Sequence, residues 1–184
     1  MATKNRISNQ MSLFGPLYAY LVIVSPPKTI KSAIAQIKSE MQQIAGIGDR
    51  NLQSLPHITL AEKLTDDISF PEMVTSLLNA QPCMEIMVKG WGFFDHGHSI
   101  TVYLKIITAD PLLHMSRLLK SHNTTPHLTL AKKITLCAFT SLLPYLENLD
   151  FKAQWTATEV TVLRKLMSEK HLGFREKFTI PLKC

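Results

Sequence analysis

The chain has 184 residues, of which 46% are hydrophobic, enough to bury a core in one domain or in two small lobes that share a core. Its formal charge of +6 is compatible with an anionic partner, but no run of Lys or Arg resembles a nucleic-acid-binding tail. No apolar stretch of the sequence reaches the length of a membrane span, so we expect no association with a membrane.

The chain begins with a polar segment, residues 1–12, which we predict to be a loose tail. Its basic residues and the apolar run that follows imitate a secretory signal. The aromatic and β-branched residues 18–24 instead favour a strand, because Gly15-Pro16 precedes them and Pro26-Pro27 ends them without a small-residue cleavage site. Residues 13–184 are therefore predicted to form a single bilobal domain.

Helices and strands alternate along the rest of the chain. Apolar residues spaced by three and four predict a helix at residues 28–45, which Gly46 and Gly48 end. A connector then leads to the next predicted strand. Period-two alternation and proline or aspartate breakers predict the later elements. These are a strand at residues 57–60, a helix at 70–79 capped by Asp66 or Asp67, strands at 84–94 and 100–107, a helix at 110–120, a strand at 127–130, a helix at 136–148, strands within 151–166 and a last strand at 174–182.

Two nine-residue segments of the chain are nearly the same. PHITLAEKL begins at Pro56 and PHLTLAKKI begins at Pro126; they agree at six of nine positions and lie 70 residues apart (57 to 127). Because the flanking elements also repeat in order, the sequence predicts an internal duplication with a pseudo-twofold axis. The expected fold class is α+β, with two pseudo-symmetric lobes around a central cleft, each an antiparallel sheet flanked by helices.

Each repeated motif places a histidine and a threonine two residues apart on a strand, so the two side chains share a face. If the lobes face each other, His57 and Thr59 converge with His127 and Thr129. Two imidazoles with pKa values of about 6.5 can serve as base and acid in the cleavage of a phosphodiester. The hydroxyls can donate hydrogen bonds to the non-bridging oxygens. This chemistry implies no cofactor, and no carboxylate cluster suggests a metal site.

Two H-x-T-x motifs separated by one lobe resemble those of the two-histidine phosphoesterases, the superfamily of the bacterial 2′-5′ RNA ligase-like proteins and the RNA 2′,3′-cyclic phosphodiesterases. The likeness extends from about Leu17 to Leu182 and includes the glycine-rich strand segment between Gly90 and Phe94. It implies an enzyme that acts on RNA ends or small cyclic nucleotides. No obligate protein partner is evident from the sequence, and we expect a cytoplasmic protein.

The resemblance also implies a role for each motif residue. His57 and His127 would be the catalytic pair, and Thr59 and Thr129 would bind the substrate phosphate. The implied reaction is hydrolysis of a 2′,3′-cyclic phosphate or of a 2′-5′ linkage, with one histidine as general base and the other as general acid. Neither the choice between the two histidines nor the ligase or hydrolase direction follows from the sequence.

Three further residues are candidates for contacts with the substrate. Phe94 offers a face on which a base can stack, although packing in the core is the alternative interpretation. Lys132 stands where relatives often carry the arginine of H-x-T-x-x-R, and it keeps the charge but not the planar fork of that arginine. Arg164, taken as the counterpart of Phe94 in the duplication, can contact phosphate or simply lie exposed at a strand end.

The three cysteines, Cys83, Cys137 and Cys184, are odd in number and have no C-x-x-C spacing. We therefore expect neither a disulfide framework nor a zinc site, and a reducing cytoplasm fits this pattern. Two other functions are compatible with the sequence. One is a nucleotide- or RNA-binding module of the same fold without turnover, and the other is a protein-interaction domain marked by an exposed apolar patch. The two intact motifs favour the enzyme.

Overall fold

The computed structural model describes residues 15–184, so the tail predicted at residues 1–12 lies outside the described residues. No helix within the described part of the chain is long and apolar enough to span a bilayer. The elements are, in chain order, β1 (Tyr18–Val24), α1 (Lys28–Ala45), α2 (Asp49–Gln53), β2 (Ile58–Thr65), α3 (Phe70–Leu78), β3 (Met84–Asp95), β4 (Ile100–Ile106), α4 (Asp110–Leu118), β5 (His127–Ile134), α5 (Leu136–Glu147), β6 (Lys152–Ala157), β7 (Glu159–Leu166), a 3₁₀ helix (Met167–Leu172) and β8 (Glu176–Pro181).

The strands form two four-stranded sheets in which every pair of neighbours is antiparallel. Sheet 1 has the order β2-β1-β7-β8, and sheet 2 has the order β5-β4-β3-β6. The predicted α+β class, with an antiparallel sheet and flanking helices in each lobe, is confirmed. Each strand that carries a repeated motif, β2 or β5, lies at the edge of its sheet.

The two motif strands share a bulge at the same place in the motif. The pairing of β2 with β1 skips Leu60, between Thr59 and Ala61, and the pairing of β5 with β4 skips Leu130 in the same way. A bulge bends a strand and increases its twist. The duplication seen in the sequence therefore extends to the backbone irregularity that follows each threonine.

A single core connects the two lobes. Alternate residues of the motif strands, such as Ile58 and Leu128, have no exposed surface, and each buried aliphatic side chain of this kind contributes about 1.5–3 kcal/mol. Most buried apolar residues of both sheets and their helices belong to one continuous cluster, and Leu21, Ile23 and Tyr103 are the buried ones that lie outside it. The side chains that alternate with them in the motifs are left on the opposite face of each sheet.

Local details depart from the predicted elements. Residues 49–53, predicted as a connector, form the short helix α2, and residues 167–172 form a 3₁₀ helix. The residue that precedes α3 is Ser69, so neither Asp66 nor Asp67 caps that helix. The Asp67 carboxylate instead accepts hydrogen bonds from the backbone N–H and the hydroxyl of Ser69, in the turn before the helix.

The expectation of no disulfide is wrong. Cys83 and Cys184 form a disulfide across a sequence separation of 101, and Cys137 is an exposed free thiol. The C-terminal segment lies beside the start of β3, since Lys183 forms a bridge with Pro82 and accepts a hydrogen bond from the backbone N–H of Cys83. Cysteine spacing does not reveal this contact, and the cysteines no longer support a reducing compartment.

Candidate functional site

The two motifs meet where the edges of the two sheets approach each other. β2 and β5 are in contact, and His57 precedes β2 while His127 begins β5. Thr59 and Thr129 are half-buried, whereas their neighbours along the strands face the core. The structure also brings the imidazoles close enough for the charge of His127 to act on His57. The four side chains predicted from the motifs therefore lie together at one seam.

Both imidazoles are oriented by the same local contact. Nδ1 of His57 lies 2.9 Å from the carbonyl oxygen of Leu55, and Nδ1 of His127 lies 2.7 Å from the carbonyl oxygen of Thr125. A carbonyl oxygen can only accept, so each Nδ1 carries the proton and donates it. The neutral form of each ring consequently presents the lone pair of Nε2.

The surroundings of His57 favour its neutral form. Burial is the largest cause that lowers the pKa of His57, and the positive charges of Lys132, Lys38 and His127 lower it further. The hydrogen bond to the carbonyl of Leu55 acts in the opposite direction but does not reverse the shift. His57 is thus suited to accept a proton at neutral pH.

Phe94 belongs to an aromatic wall beside His127. Its ring stacks on Tyr103 with centroids 4.4 Å apart and meets His127 edge-on at 5.2 Å, while Tyr103 and His127 are 5.1 Å apart. A Cβ at Gly92 would lie 2.9 Å from Cζ and Oη of Tyr103, so only a glycine leaves room for the ring. Phe93 points to the other face, against α5.

Lysines are the charged groups close to the imidazoles. Lys132 is exposed, and its positive charge contributes to the lowered pKa of both His57 and Lys38. Lys105 stands directly opposite His127 in the β4–β5 pairing and is exposed. Lys105 is not among the residues predicted from the motifs, although its alternation with Tyr103 along β4 places both side chains on one face. Within residues 15–184 no group of three or more His, Cys, Asp and Glu side chains could hold a metal ion.

Lys38 was also missed, although it lies four residues after Ile34 on the apolar stripe of α1. Its side chain is 1% exposed, and its Nζ donates to the carbonyl oxygens of Asn51 and Ser54 and to the Ser54 hydroxyl. Burial, followed by the charge of Lys132, lowers the pKa of Lys38 to about 8. A lysine within an apolar helix stripe is the signal that could have identified it.

The structure does not bring Arg164 to the seam. Arg164 pairs with Tyr20 in β1, on the face of sheet 1 that packs on the helices. Its guanidinium binds the carboxylate of Glu176 and lies over the rings of Tyr18 and Phe178, 5.1 Å and 5.2 Å from their centroids. Arg164 therefore connects side chains of β1, β7 and β8 on the face of sheet 1 opposite to Thr59.

Strand register also corrects the counterpart assigned to Phe94. Phe94 pairs with Thr101 in the strand next to β5, and the corresponding pair in sheet 1 is Leu163 with Leu21. A constant offset of 70 residues holds for the motifs, but it slips by one residue in the strands that follow them. Leu163, and not Arg164, occupies the place of Phe94 in the other lobe.

The family model described as the 2′-5′ RNA ligase superfamily matches residues 26–168. No curated protein matches the chain in sequence. Among solved structures, TT0787 of Thermus thermophilus is 14% identical with a TM-score of 0.63, and the match covers 88% of this chain and 97% of that chain.

Two further structures resemble this one. The Escherichia coli LigT structure with 3′-AMP is 14% identical, with a TM-score of 0.60 and coverage of 90% of this chain and 99% of that chain. Kluyveromyces marxianus Usb1 is 13% identical, with a TM-score of 0.54 and coverage of 90% and 98%. At these identities the neighbours show the fold, whereas the family model covers most of the chain. The chain belongs to the 2′-5′ RNA ligase superfamily, as its two H-x-T-x motifs predict.

Proposed function

We propose that this protein hydrolyses 2′,3′-cyclic phosphates at RNA ends or in small nucleotides, or 2′-5′ linkages, with His57 as general base and His127 as general acid. The observation that carries the proposal is the matched orientation of the two imidazoles. Each ring donates from Nδ1 to the carbonyl two residues before it, so each Nε2 is free to exchange a proton with the substrate or with water.

The proposed step moves two protons. Nε2 of His57 takes a proton from a water molecule, whose oxygen then attacks the phosphorus. The bond between phosphorus and one ribose oxygen breaks, and the protonated Nε2 of His127 gives its proton to that oxygen. The products are a phosphomonoester and a free hydroxyl, and proton exchange with solvent restores both rings. The lowered pKa of His57 supports its assignment as the base.

Thr59 and Thr129 support the same step from the two sides of the seam. Each hydroxyl lies two residues after its histidine on the face away from the core, where it can donate to a non-bridging oxygen. Negative charge grows on these oxygens in the transition state, so the contacts strengthen as the reaction proceeds. The ammonium groups of Lys132 and Lys105 add positive potential for an anionic substrate.

The aromatic wall supports a nucleotide as the substrate. The stacked rings of Phe94 and Tyr103 stand beside His127, so a base can pack there while its ribose phosphate reaches Nε2. The LigT structures include complexes with 3′-AMP and with ATP, which agrees with a nucleotide in this fold. Phe94 is accordingly a proposed base contact, and Lys132 a proposed phosphate contact.

The test is a substrate panel assayed with a chelator present. It contains nucleoside 2′,3′-cyclic monophosphates, 2′-5′ dinucleotides and RNAs that end in a cyclic phosphate. We expect hydrolysis of at least the cyclic phosphates, with no loss of rate on chelation because every proton moves through an imidazole. Tight binding of AMP by calorimetry without any product would instead favour the non-catalytic nucleotide-binding module.

A further inference from the structure

Within residues 15–184, both motif strands leave one edge without a neighbouring strand. β2 ends the order of sheet 1 and β5 ends the order of sheet 2, and these two edges face the seam. An edge strand presents backbone N–H and C=O groups that need partners when they are not in water. These edges therefore need hydrogen-bond partners from outside their own sheets.

Asn51 closes the edge of β5. Its Oδ1 accepts a hydrogen bond from the backbone N–H of Lys132 at 3.0 Å, and its Nδ2 donates to the carbonyl oxygen of Lys132 at 3.1 Å. The same Nδ2 donates to the carbonyl oxygen of Ile47 at 2.7 Å, and the residue is 8% exposed. The carboxamide thus replaces a neighbouring strand residue and fastens α2, which belongs to the first repeat, to the second motif strand.

Asn123 makes the reciprocal contact. Its Nδ2 donates to the carbonyl oxygen of Thr59 in β2, and its Oδ1 accepts from the backbone N–H of Thr125 at 3.2 Å. The carbonyl oxygen of Thr125 is the group that orients His127. Asn123 therefore links the first motif strand to the turn that fixes the second imidazole.

Lys38 holds the segment that carries Asn51. Its three Nζ hydrogen bonds hold residues 51–54, at 3.1 Å to the Asn51 carbonyl, 2.7 Å to the Ser54 carbonyl and 2.8 Å to the Ser54 hydroxyl. Leu55 follows directly, and its carbonyl oxygen orients His57. A buried lysine, the Asn51 carboxamide and the carbonyl that holds His57 are thus successive parts of one short segment.

We propose that Asn51 and Asn123 form a reciprocal clasp across the seam that sets the separation of the two imidazoles, and that both are positioning residues for the reaction. The kinetic part of this inference rests on the proposed function, whereas its structural part does not. Neither carboxamide needs to touch the substrate, because each binds the backbone of a motif strand. A displacement of about 1 Å between reacting groups costs about a hundredfold in rate, so the clasp matters more for turnover than for binding.

The experiment compares Asn51→Ala and Asn123→Ala with the parent protein. The control is Asn148→Ala, which removes a carboxamide that donates to Pro144 within α5 at 2.7 Å, outside the clasp. With a cyclic nucleotide as substrate we expect kcat to fall about tenfold to a hundredfold in both clasp variants while KM changes by less than about threefold. Asn148→Ala should retain both constants.

Titration of the histidines by NMR, without substrate, supplies a second reading. Burial lowers the pKa of His57 most, and the charges of Lys132, Lys38 and His127 lower it further. Lys132 and His127 both lie on the other side of the clasp. Opening the clasp moves these charges away, so we expect the pKa of His57 to rise in either variant and to stay in the control. Unchanged titration of His57, or unchanged kcat in folded variants, would overturn the inference.

The experiment still decides the inference if one variant does not fold or if the parent protein is inactive. If Asn51→Ala does not fold, Asn123→Ala decides, because Asn123 is half-buried and makes its interlobe contact through one hydrogen bond. If the parent protein hydrolyses none of the panel, the proposed function fails, and the His57 titration alone still decides whether the clasp holds the lobes in register.

Discussion

At the scale of single residues, duplication has produced two histidines with the same backbone setting and different neighbours. Each ring donates to the carbonyl two residues earlier. His57 is half-buried near Lys132 and Lys38, whereas His127 stands against the rings of Phe94 and Tyr103. A shared motif with unlike surroundings is what a pair of catalytic groups with opposite proton roles requires.

Lys132→Gln is predicted to shift the pH dependence of activity. The Lys132 charge disfavours the protonated form of His57, so its removal raises the pKa of His57 toward the ordinary value. A general base must be neutral in the free enzyme, so the acid limb of the kcat/KM profile moves to higher pH. Lys133→Gln is the matched control, because Lys133 is not among the groups that lower this pKa. An acid limb that stays in place, or moves to lower pH, would contradict the account.

The histidines and threonines of the motifs could be predicted because alternation along a strand determines which face they share. The residues that hold the two motif strands in position could not be predicted in this way. His57 and Thr59 share a face by strand geometry alone. Asn51 and Asn123 act through contacts with residues 81 and 64 positions away in the sequence, which no local pattern encodes. Lys38 did carry a local signal, since it interrupts an apolar stripe.

At the scale of elements, the central strands of sheet 2 shape the aromatic wall through one glycine. β3 pairs antiparallel with β4, and Gly92 lies directly opposite Tyr103. Because Gly92 has no side chain, the Tyr103 ring can lie over the backbone at this position. The ring then reaches Phe94 and His127. Sheet 1 has Thr161 opposite Ile23 at the corresponding place, so only one half of the seam carries such a wall.

Gly92→Ala is predicted to disturb both stability and activity. The new Cβ would stand 2.9 Å from Cζ and Oη of Tyr103, which forces the ring to move. We expect a loss of about 1–3 kcal/mol in the free energy of unfolding, measured by urea denaturation. We also expect a roughly tenfold to hundredfold loss of kcat/KM, because the ring contacts His127.

A double-mutant cycle separates this steric mechanism from a general effect of alanine at position 92. In the background of Tyr103→Leu the atoms that clash are absent, so the additional stability cost of Gly92→Ala should largely disappear. Equal costs of Gly92→Ala in the two backgrounds would show that the clash with Tyr103 is not the cause.

Element order and type followed from the sequence because apolar periodicity is strong in this chain. The observed bounds of β1 and α1 equal the predicted ones, residues 18–24 and 28–45. The five-residue helix α2 is too short to show a period, so it was predicted as a connector. Arg164 was misplaced because alternation fixes faces only when the register is known, and a slip of one residue moves a side chain to the other face.

At the scale of the whole molecule, the two lobes are joined by more than their seam. One core cluster runs through both, and the chain returns from β6 in sheet 2 to β7 and β8 in sheet 1. The disulfide between Cys83 and Cys184 then ties the C-terminus to the start of β3. The relative position of the sheets therefore depends on contacts that are far apart in sequence.

Reduction of this disulfide is predicted to destabilise the protein. The bridge closes a loop with a sequence separation of 101, and the loss of such a cross-link typically costs about 2–4 kcal/mol. Urea denaturation with and without reductant measures the difference, and Cys184→Ser should reproduce it. Cys137→Ser is the control, because that thiol is free and exposed. Identical denaturation midpoints in both conditions would contradict the prediction.

The central claim is that two imidazoles from the two halves of a duplicated chain act together on one phosphate. Turnover of a nucleoside 2′,3′-cyclic phosphate by His57→Ala and by His127→Ala tests it most directly, with His114→Ala, an exposed histidine of α4, as the control. We expect each motif variant to remain folded and to lose about a hundredfold or more in kcat, while the control keeps the parental rate. If either motif variant is folded and retains parental turnover, the two histidines do not form a catalytic pair.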